Sequence, residues 1–198
     1  MAAEVAGWMF LDIFRIINEV FGEPVFQQVI VATQPTTRKV LGETIRVMGW
    51  YPYSAYADLL RATQSQLENH DAEICKRLGE LGGMGSMRKM FQVYKKIGDP
   101  ERLILSASKI WDKHFRGAGK LETMSALPEN TRWRIVGFAE MSALHCKLHE
   151  GWIKGSLVEA GSSVGLELTC DPVETECTRR GALHHEFFCT WKPMGNGS

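Results

Sequence analysis

The residues best suited to do chemistry sit toward the C-terminal end of this chain. Glu174-x-x-Cys177, then Gly181, then His184-His185-Glu186-Phe187 gather a carboxylate, a thiol and imidazoles around one short segment. Those are the groups that hold a tetrahedral zinc ion, and Cys146, on the element before, supplies a fourth candidate ligand. The spacing follows no standard zinc-motif pattern, so an exposed polar loop with incidental residues stands as the alternative. A second pair, His145 and His149, is four residues apart and falls on one face of a helix. Two imidazoles do not complete a metal site, and the pair reads as surface histidines.

Catalytic signals are missing. No serine lies in a G-x-S-x-G elbow, and no nucleophile–base–acid set or paired carboxylates stand out. The glycine-rich stretch from Gly79 to Ser86 lacks the lysine–hydroxyl pair of a phosphate-binding loop and follows a helix. It reads as a helix–helix turn. The expectation is a chain that is not an enzyme.

The elements that must position these groups follow from periodicity. Helices are predicted over 4–22, 25–32, 36–48, 54–68, 71–81, 86–97 and 100–115, the last opening on Asp99-Pro100. Two strands, 119–126 and 131–138, turn at Pro128-Glu129-Asn130. A helix over 140–160 comes next, then strands over 164–170 and 184–191. The final strand places His185, Phe187, Cys189 and Trp191 on one face. Fold class is therefore α+β: a helical part, 1–117, packed on a small antiparallel sheet of about four strands within 118–193, with a long helix between the strand pairs. One domain covers 1–193, and 194–198 is expected to be a disordered tail.

Composition narrows the function classes. With 198 residues, 44% of them hydrophobic, the chain can bury a core without covalent staples. Lysine plus arginine equals aspartate plus glutamate at 23 each, so no global field draws it to nucleic acid. Five widely spaced cysteines do not make a secreted disulfide framework, and no apolar run is long enough for a membrane span. The default address is the cytoplasm. Trp111, Phe115, Trp133, Trp152, Phe187 and Trp191 fall on elements that face one another, as filled core or as the lining of a cavity between helices and sheet.

The run Leu144-His145-Cys146-x-x-x-x-Gly151-x-x-x-Gly155, followed by Glu174-x-x-Cys177-x-x-x-Gly181-x-x-His184-His185-Glu186-Phe187, resembles the closing signature of 4-vinyl-reductase-type sensor domains. Their superfamily includes H-NOX-like domains and TRAPP transport-complex subunits. The front end, with Val20-Phe21-Gly22-Glu23 and Trp50-Tyr51-Pro52, looks in layout like an uncharacterised family of myxobacterial proteins. The resemblance implies helices on an antiparallel sheet, homodimerisation through helices and a cavity for an apolar ligand. Carried over residue by residue, it implies a structural zinc site of Cys146, Glu174, Cys177 and His185, the last standing where relatives have cysteine. Haem does not carry over. The region Leu121–Leu127 has no histidine where the proximal ligand belongs, and the tyrosine–serine–arginine haem-carboxylate motif is absent. No haem is expected.

The leading expectation is a non-catalytic sensor or regulatory domain that binds an apolar small molecule and acts through contact with a protein partner. A dimeric scaffold without ligand is the alternative, and a tetrapyrrole vinyl-reductase-like enzyme a remote one.

Overall fold

The computed structural model describes residues 2–93, 100–127 and 130–193. The expected tail at 194–198, the Asp99 cap and most of the turn at 128–130 lie outside the described residues. The described chain is α+β, as the periodicity predicts. Its helices are α1 (Gly7–Phe21), α2 (Glu23–Ala32), α3 (Pro35–Gly42), α4 (Tyr53–Leu67), α5 (Ile74–Val93), α6 (Pro100–Leu105), α7 (Ala107–His114) and α8 (Ala143–Ser163). Strands β4 (Lys120–Leu127), β5 (Asn130–Val136), β6 (Leu168–Glu176) and β7 (His184–Pro193) form an antiparallel sheet in the order β4-β5-β7-β6.

A second sheet was not anticipated. Strands β1 (Glu4–Ala6), β2 (Trp50–Pro52) and β3 (Phe115–Arg116) pair antiparallel in the order β2-β1-β3. Three residues cannot establish a period of two, so the start of α1 hides β1 in a continuous apolar run. That small sheet fastens the N-terminus to the end of α7, because Val5 pairs with both Tyr51 and Phe115.

The helix α8 lies at the centre. One side packs on α5 and the other on the sheet, so buried positions surround it: Cys146, Leu148, Glu150, Ile153, Leu157 and Ala160 among them. Ser142 caps its start, the hydroxyl accepting from the His145 backbone N–H at 3.1 Å. From the sheet, Thr131, Trp133 and Ile135 of β5 pair in register with Cys189, Phe187 and His185 of β7, and all six are buried.

The glycine-rich stretch is not a turn. Gly79, Gly82, Gly83 and Gly85 all lie within α5, which runs unbroken where two helices were expected. The reason is tertiary. Gly79 and Gly83 of α5 face Gly151 and Gly155 of α8, and the two backbones meet where no side chain intervenes. Each glycine costs up to about 1 kcal/mol of helix propensity relative to alanine. The close approach of two long helices offsets that cost.

Candidate functional site

Two sites lie on adjacent faces of the same turns of α8. One is an apolar cavity walled by α6 and α7, by α8 and by β4 and β5. Along α8 the lining residues are His145, Leu148, His149, Trp152, Ile153, Ser156 and Leu157, a three-and-four repeat that keeps one face turned inward. Opposite stand Ala107, Ile110, Trp111 and His114 of α7, with Phe115 beside them, Leu121 and Trp133 from the sheet, and Met9 and Leu103 at the rim. The walls leave a cavity of about 40 Å³. At roughly 10–15 Å³ each, that is room for about three waters. Four of the six aromatics expected to face one another line this space: Trp111, Phe115, Trp133 and Trp152. Phe187 lies beneath it, its ring 4.8 Å from that of His149.

The polar groups of the lining are unusual. Trp111 Nε1, His114 Nε2, Trp133 Nε1, His149 Nε2 and Ser156 Oγ are buried and have no hydrogen-bond partner. Each such group costs about 1–3 kcal/mol when left unpaired. The three imidazoles are held neutral. Burial first, aided by His114 and His185, pushes His149 down to about 3. Burial pushes His114 down to about 4 and holds His145 well below the ordinary histidine range. The His114 tautomer is set locally. Nδ1–H donates to the Ile110 carbonyl at 2.5 Å, so Nε2 carries the lone pair. At His145, the Tyr53 hydroxyl accepts from the Ser142 backbone N–H at 2.8 Å and meets Nδ1 at 3.2 Å.

His145 and His149 are therefore core residues lining a cavity, and the surface reading is corrected. The pair does share one face, as their spacing requires. The sheet and α7 cover that face, which a helix read alone does not reveal. His114 carried no motif and was missed; only its place at the end of an amphipathic segment pointed inward.

About a quarter turn around the helix, the sequence-predicted ligand set comes together. Cys146, Glu174, Cys177 and His185 each offer one ligand atom, and the four atoms lie within 4.8 Å of one another. His185 Nδ1 is 3.0 Å from Glu174 Oε1 and 3.5 Å from Cys146 Sγ. His185 Nε2 meets the Thr178 hydroxyl at 2.9 Å, which orients the ring. Cys146, Cys177 and His185 are buried, and Glu174 is half-buried. Burial works to raise the Glu174 carboxyl, but hydrogen bonds from His185, Cys146 and Cys177 outweigh it and hold the group below its ordinary value. Burial and the Glu174 carboxylate push the Cys146 thiol up. Glu174 lies in β6 and not in the loop, and its backbone N–H donates to the buried Glu150 carboxylate at 3.0 Å. Lys76 and Lys147 pair with that same carboxylate at 3.5 and 3.1 Å.

No helix among the described residues is long and apolar enough to cross a membrane. No protein-family model matches the chain, and no curated protein matches it. Solved structures do. An H-NOX protein from S. oneidensis, a mutant in the Fe(II) ligation state, is 14% identical with a TM-score of 0.67 over 96% of this chain and 98% of its own. The Fe(II) unliganded H-NOX protein from K. algicida is 11% identical with a TM-score of 0.66 over 98% of this chain and all of its own. A third, from a study of heme distortion in the H-NOX family, gives 11% and 0.61.

These neighbours overturn the expectation of no haem, which rested on a missing histidine near 121–127 and on the absent tyrosine–serine–arginine motif. The fold is that of iron- and haem-containing proteins, and His114, His145 and His149 converge on its cavity from α7 and α8. Two of them, His114 and His149, have an unpartnered Nε2, the donor an iron requires. The ligation chemistry fits. The likeness to 4-vinyl-reductase domains, TRAPP subunits and the myxobacterial family rests on the sequence motifs and layout alone. Over nearly its whole length, this chain has the fold of the H-NOX proteins.

Proposed function

We propose that this chain is a non-catalytic sensor domain whose cavity takes a small apolar guest, and whose response reaches a partner protein or a second copy through surface contacts. The observation that carries this reading is the cavity lining itself: apolar walls, with five buried polar atoms lacking partners. A filled, purely structural core has no reason to retain five such groups. A guest that parts α7 from α8 gains apolar contact and satisfies some of them, so its binding favours the opened state. The test is native mass spectrometry of the purified protein, together with binding of a fluorescent naphthalene probe. Ala107→Phe fills the cavity from α7 and is expected to abolish both a retained guest and probe binding. Equal probe binding by a folded Ala107→Phe variant overturns the reading.

A second reading makes the guest a haem, favoured by the unpartnered His114 and His149 Nε2 atoms. Either imidazole would hold the iron, and the bound group would supply a gas-binding metal centre. The space in the lining is smaller than a porphyrin, so α6 and α7 must move outward to admit one. Hemin titration should then give a Soret band that His149→Leu and His114→Leu together remove. A band unchanged in the double variant refutes this assignment.

The second site we assign to a structural zinc ion on Cys146, Glu174, Cys177 and His185. In a tetrahedral site with bonds of about 2.0–2.3 Å, ligand atoms stand roughly 3.3–3.8 Å apart. A set already within 4.8 Å needs only a small contraction. Thr178 and Glu150 would orient His185 and Glu174 from behind. Zinc binding would displace the Cys146 proton and tie α8 to β6 and β7. Equilibrium dialysis against zinc should give one ion per chain, lost in Cys177→Ser; the same stoichiometry in that variant would refute the ligand set.

A further inference from the structure

A second, smaller cavity borders the aromatic one and takes no part in the readings above. It lies between α1, α4, α5 and α8 and measures about 20 Å³, close to the space of one water. Met9, Leu148 and Trp152 line both cavities, so the two share a wall. Met9 is the yielding part of that wall. Its unbranched thioether side chain repacks around a guest more readily than a branched or aromatic one.

The polar groups of the smaller cavity set the chemistry it selects. Tyr56 of α4 lines it, wholly buried, and the Tyr56 hydroxyl has no hydrogen-bond partner. Burial, above all, pushes the phenol up, so the hydroxyl keeps its proton and offers both a donor and lone pairs. Asp12 of α1 lines the same space, and Arg15 already stands 3.6 Å from its carboxylate. A carboxylate entering here meets a like charge, and an ammonium finds the Asp12 charge already paired. Either would also give up its hydration. A neutral hydroxyl group is the size of the water that fits, and it can donate to Tyr56 or accept from it without that cost.

The aromatic cavity makes a matching demand on its own side of the wall. His149 Nε2 there lacks a donor, and Trp111 Nε1 lacks an acceptor. Unpartnered polar groups thus stand on both sides of an apolar wall made by Met9, Leu148 and Trp152. We propose, on the reading of the aromatic cavity as a guest site, that the two cavities are compartments of one site for an unbranched guest with a neutral hydroxyl at each end. One hydroxyl pairs with Tyr56 and the other with His149 or Trp111, while the alkyl spacer displaces Met9 and lies against Leu148 and Trp152. The guest class follows from that division: two uncharged polar ends and an apolar middle.

The test is displacement of the fluorescent naphthalene probe from the whole protein by a series of straight-chain diols, butanediol to decanediol, against primary alcohols of equal length. Water solvates the extra hydroxyl, so a purely apolar site favours the alcohol at every length. The expected result is the reverse at one spacer length, where the diol displaces the probe at a several-fold lower concentration than its alcohol. Tyr56→Phe should erase that advantage and leave the alcohol's own displacement unchanged. The variant is expected to fold, because the hydroxyl it removes bonds nothing in the free protein; should it not fold, the comparison in the unaltered chain decides. Alcohols that outcompete diols throughout the series overturn the proposal, as does a diol advantage that survives in Tyr56→Phe. So does octanedioate that displaces the probe as well as octanediol. In each of those cases the probe still binds and the guest site stands; an unaltered chain that binds no probe removes both.

Discussion

Replacing Gly79 by alanine tests the helix crossing at the heart of this fold, because two physical effects predict opposite signs. On propensity alone, alanine stabilises a helix by about 1 kcal/mol over glycine. In the folded chain, however, a methyl group at Gly79 would stand 1.9 Å from the Leu148 carbonyl oxygen and 2.8 Å from the Trp152 nitrogen. Both are backbone atoms, with no rotamer to move aside. Ordinary contact at about 3.4 Å then requires α5 and α8 to separate by about 1.5 Å. Overpacking of this kind costs typically 1–3 kcal/mol, here toward the upper end, since among the described residues α5 and α8 share the most extensive helix–helix interface. The net expectation for Gly79→Ala is a loss of about 2 kcal/mol, or about 4–8 °C in Tm for a chain of this size. Gly82, three residues along the same helix, supplies the control. Its added methyl would meet only the end of Ile16, at 3.8 Å, so Gly82→Ala should gain about 0.5–1 kcal/mol. Urea unfolding followed by tryptophan fluorescence reads both, as midpoint shifts at constant slope. Gly79→Ala combined with Gly151→Ala should cost less than the sum of the two, because one displacement relieves both contacts. If Gly79→Ala stabilises as Gly82→Ala does, the backbones are not in contact and the reasoning fails.

The remaining predictions concern protons, metal and packing. His114 and His149 have folded values of about 4 and about 3, below the ordinary 6.5 of the unfolded chain. The unfolded state therefore binds more protons: stability is complete above about pH 6.5 and falls as pH drops toward the folded values. At pH 5 each costs roughly 2 kcal/mol, and His145, also held well below the ordinary range, adds to the loss; urea unfolding of chelator-treated protein at pH 7.5 and 5 measures this, and His149→Phe should remove about 2 kcal/mol of it. The carboxylates of Glu174, Glu186 and Asp58, held below their ordinary values, contribute above about pH 4.5 and are lost only below it, which keeps the windows apart. Zinc at a hundred times its Kd should add about 2.7 kcal/mol to stability, and Glu174→Gln should reduce the gain; no change on adding zinc would remove the site. Glu150→Ala, which strips a buried carboxylate from Lys76, Lys147 and the Glu174 N–H, should cost about 3 kcal/mol in the same unfolding assay, and a change under 1 kcal/mol would place Glu150 outside that network.

The sequence by itself determined the class of the fold, the β4–β5 hairpin and the final strand, and it singled out Cys146, Glu174, Cys177 and His185, four residues that the fold brings close together. These rest on short-range periodicity and on a motif whose residues are fixed by the β6–β7 hairpin and the helix before it. It did not reveal β1, β2 and β3, which are too short to show a period and exist only because each finds the others across the fold. Glycine at positions 79–86 reads as a break in an isolated segment, yet α5 is continuous because only glycine lets its backbone touch that of α8. The histidines were misplaced for the same reason. Spacing along a helix says which residues share a face, but burial of that face depends on what covers it. Here α7 and the sheet cover it, turning His145 and His149 from surface groups into the neutral, buried lining of a cavity.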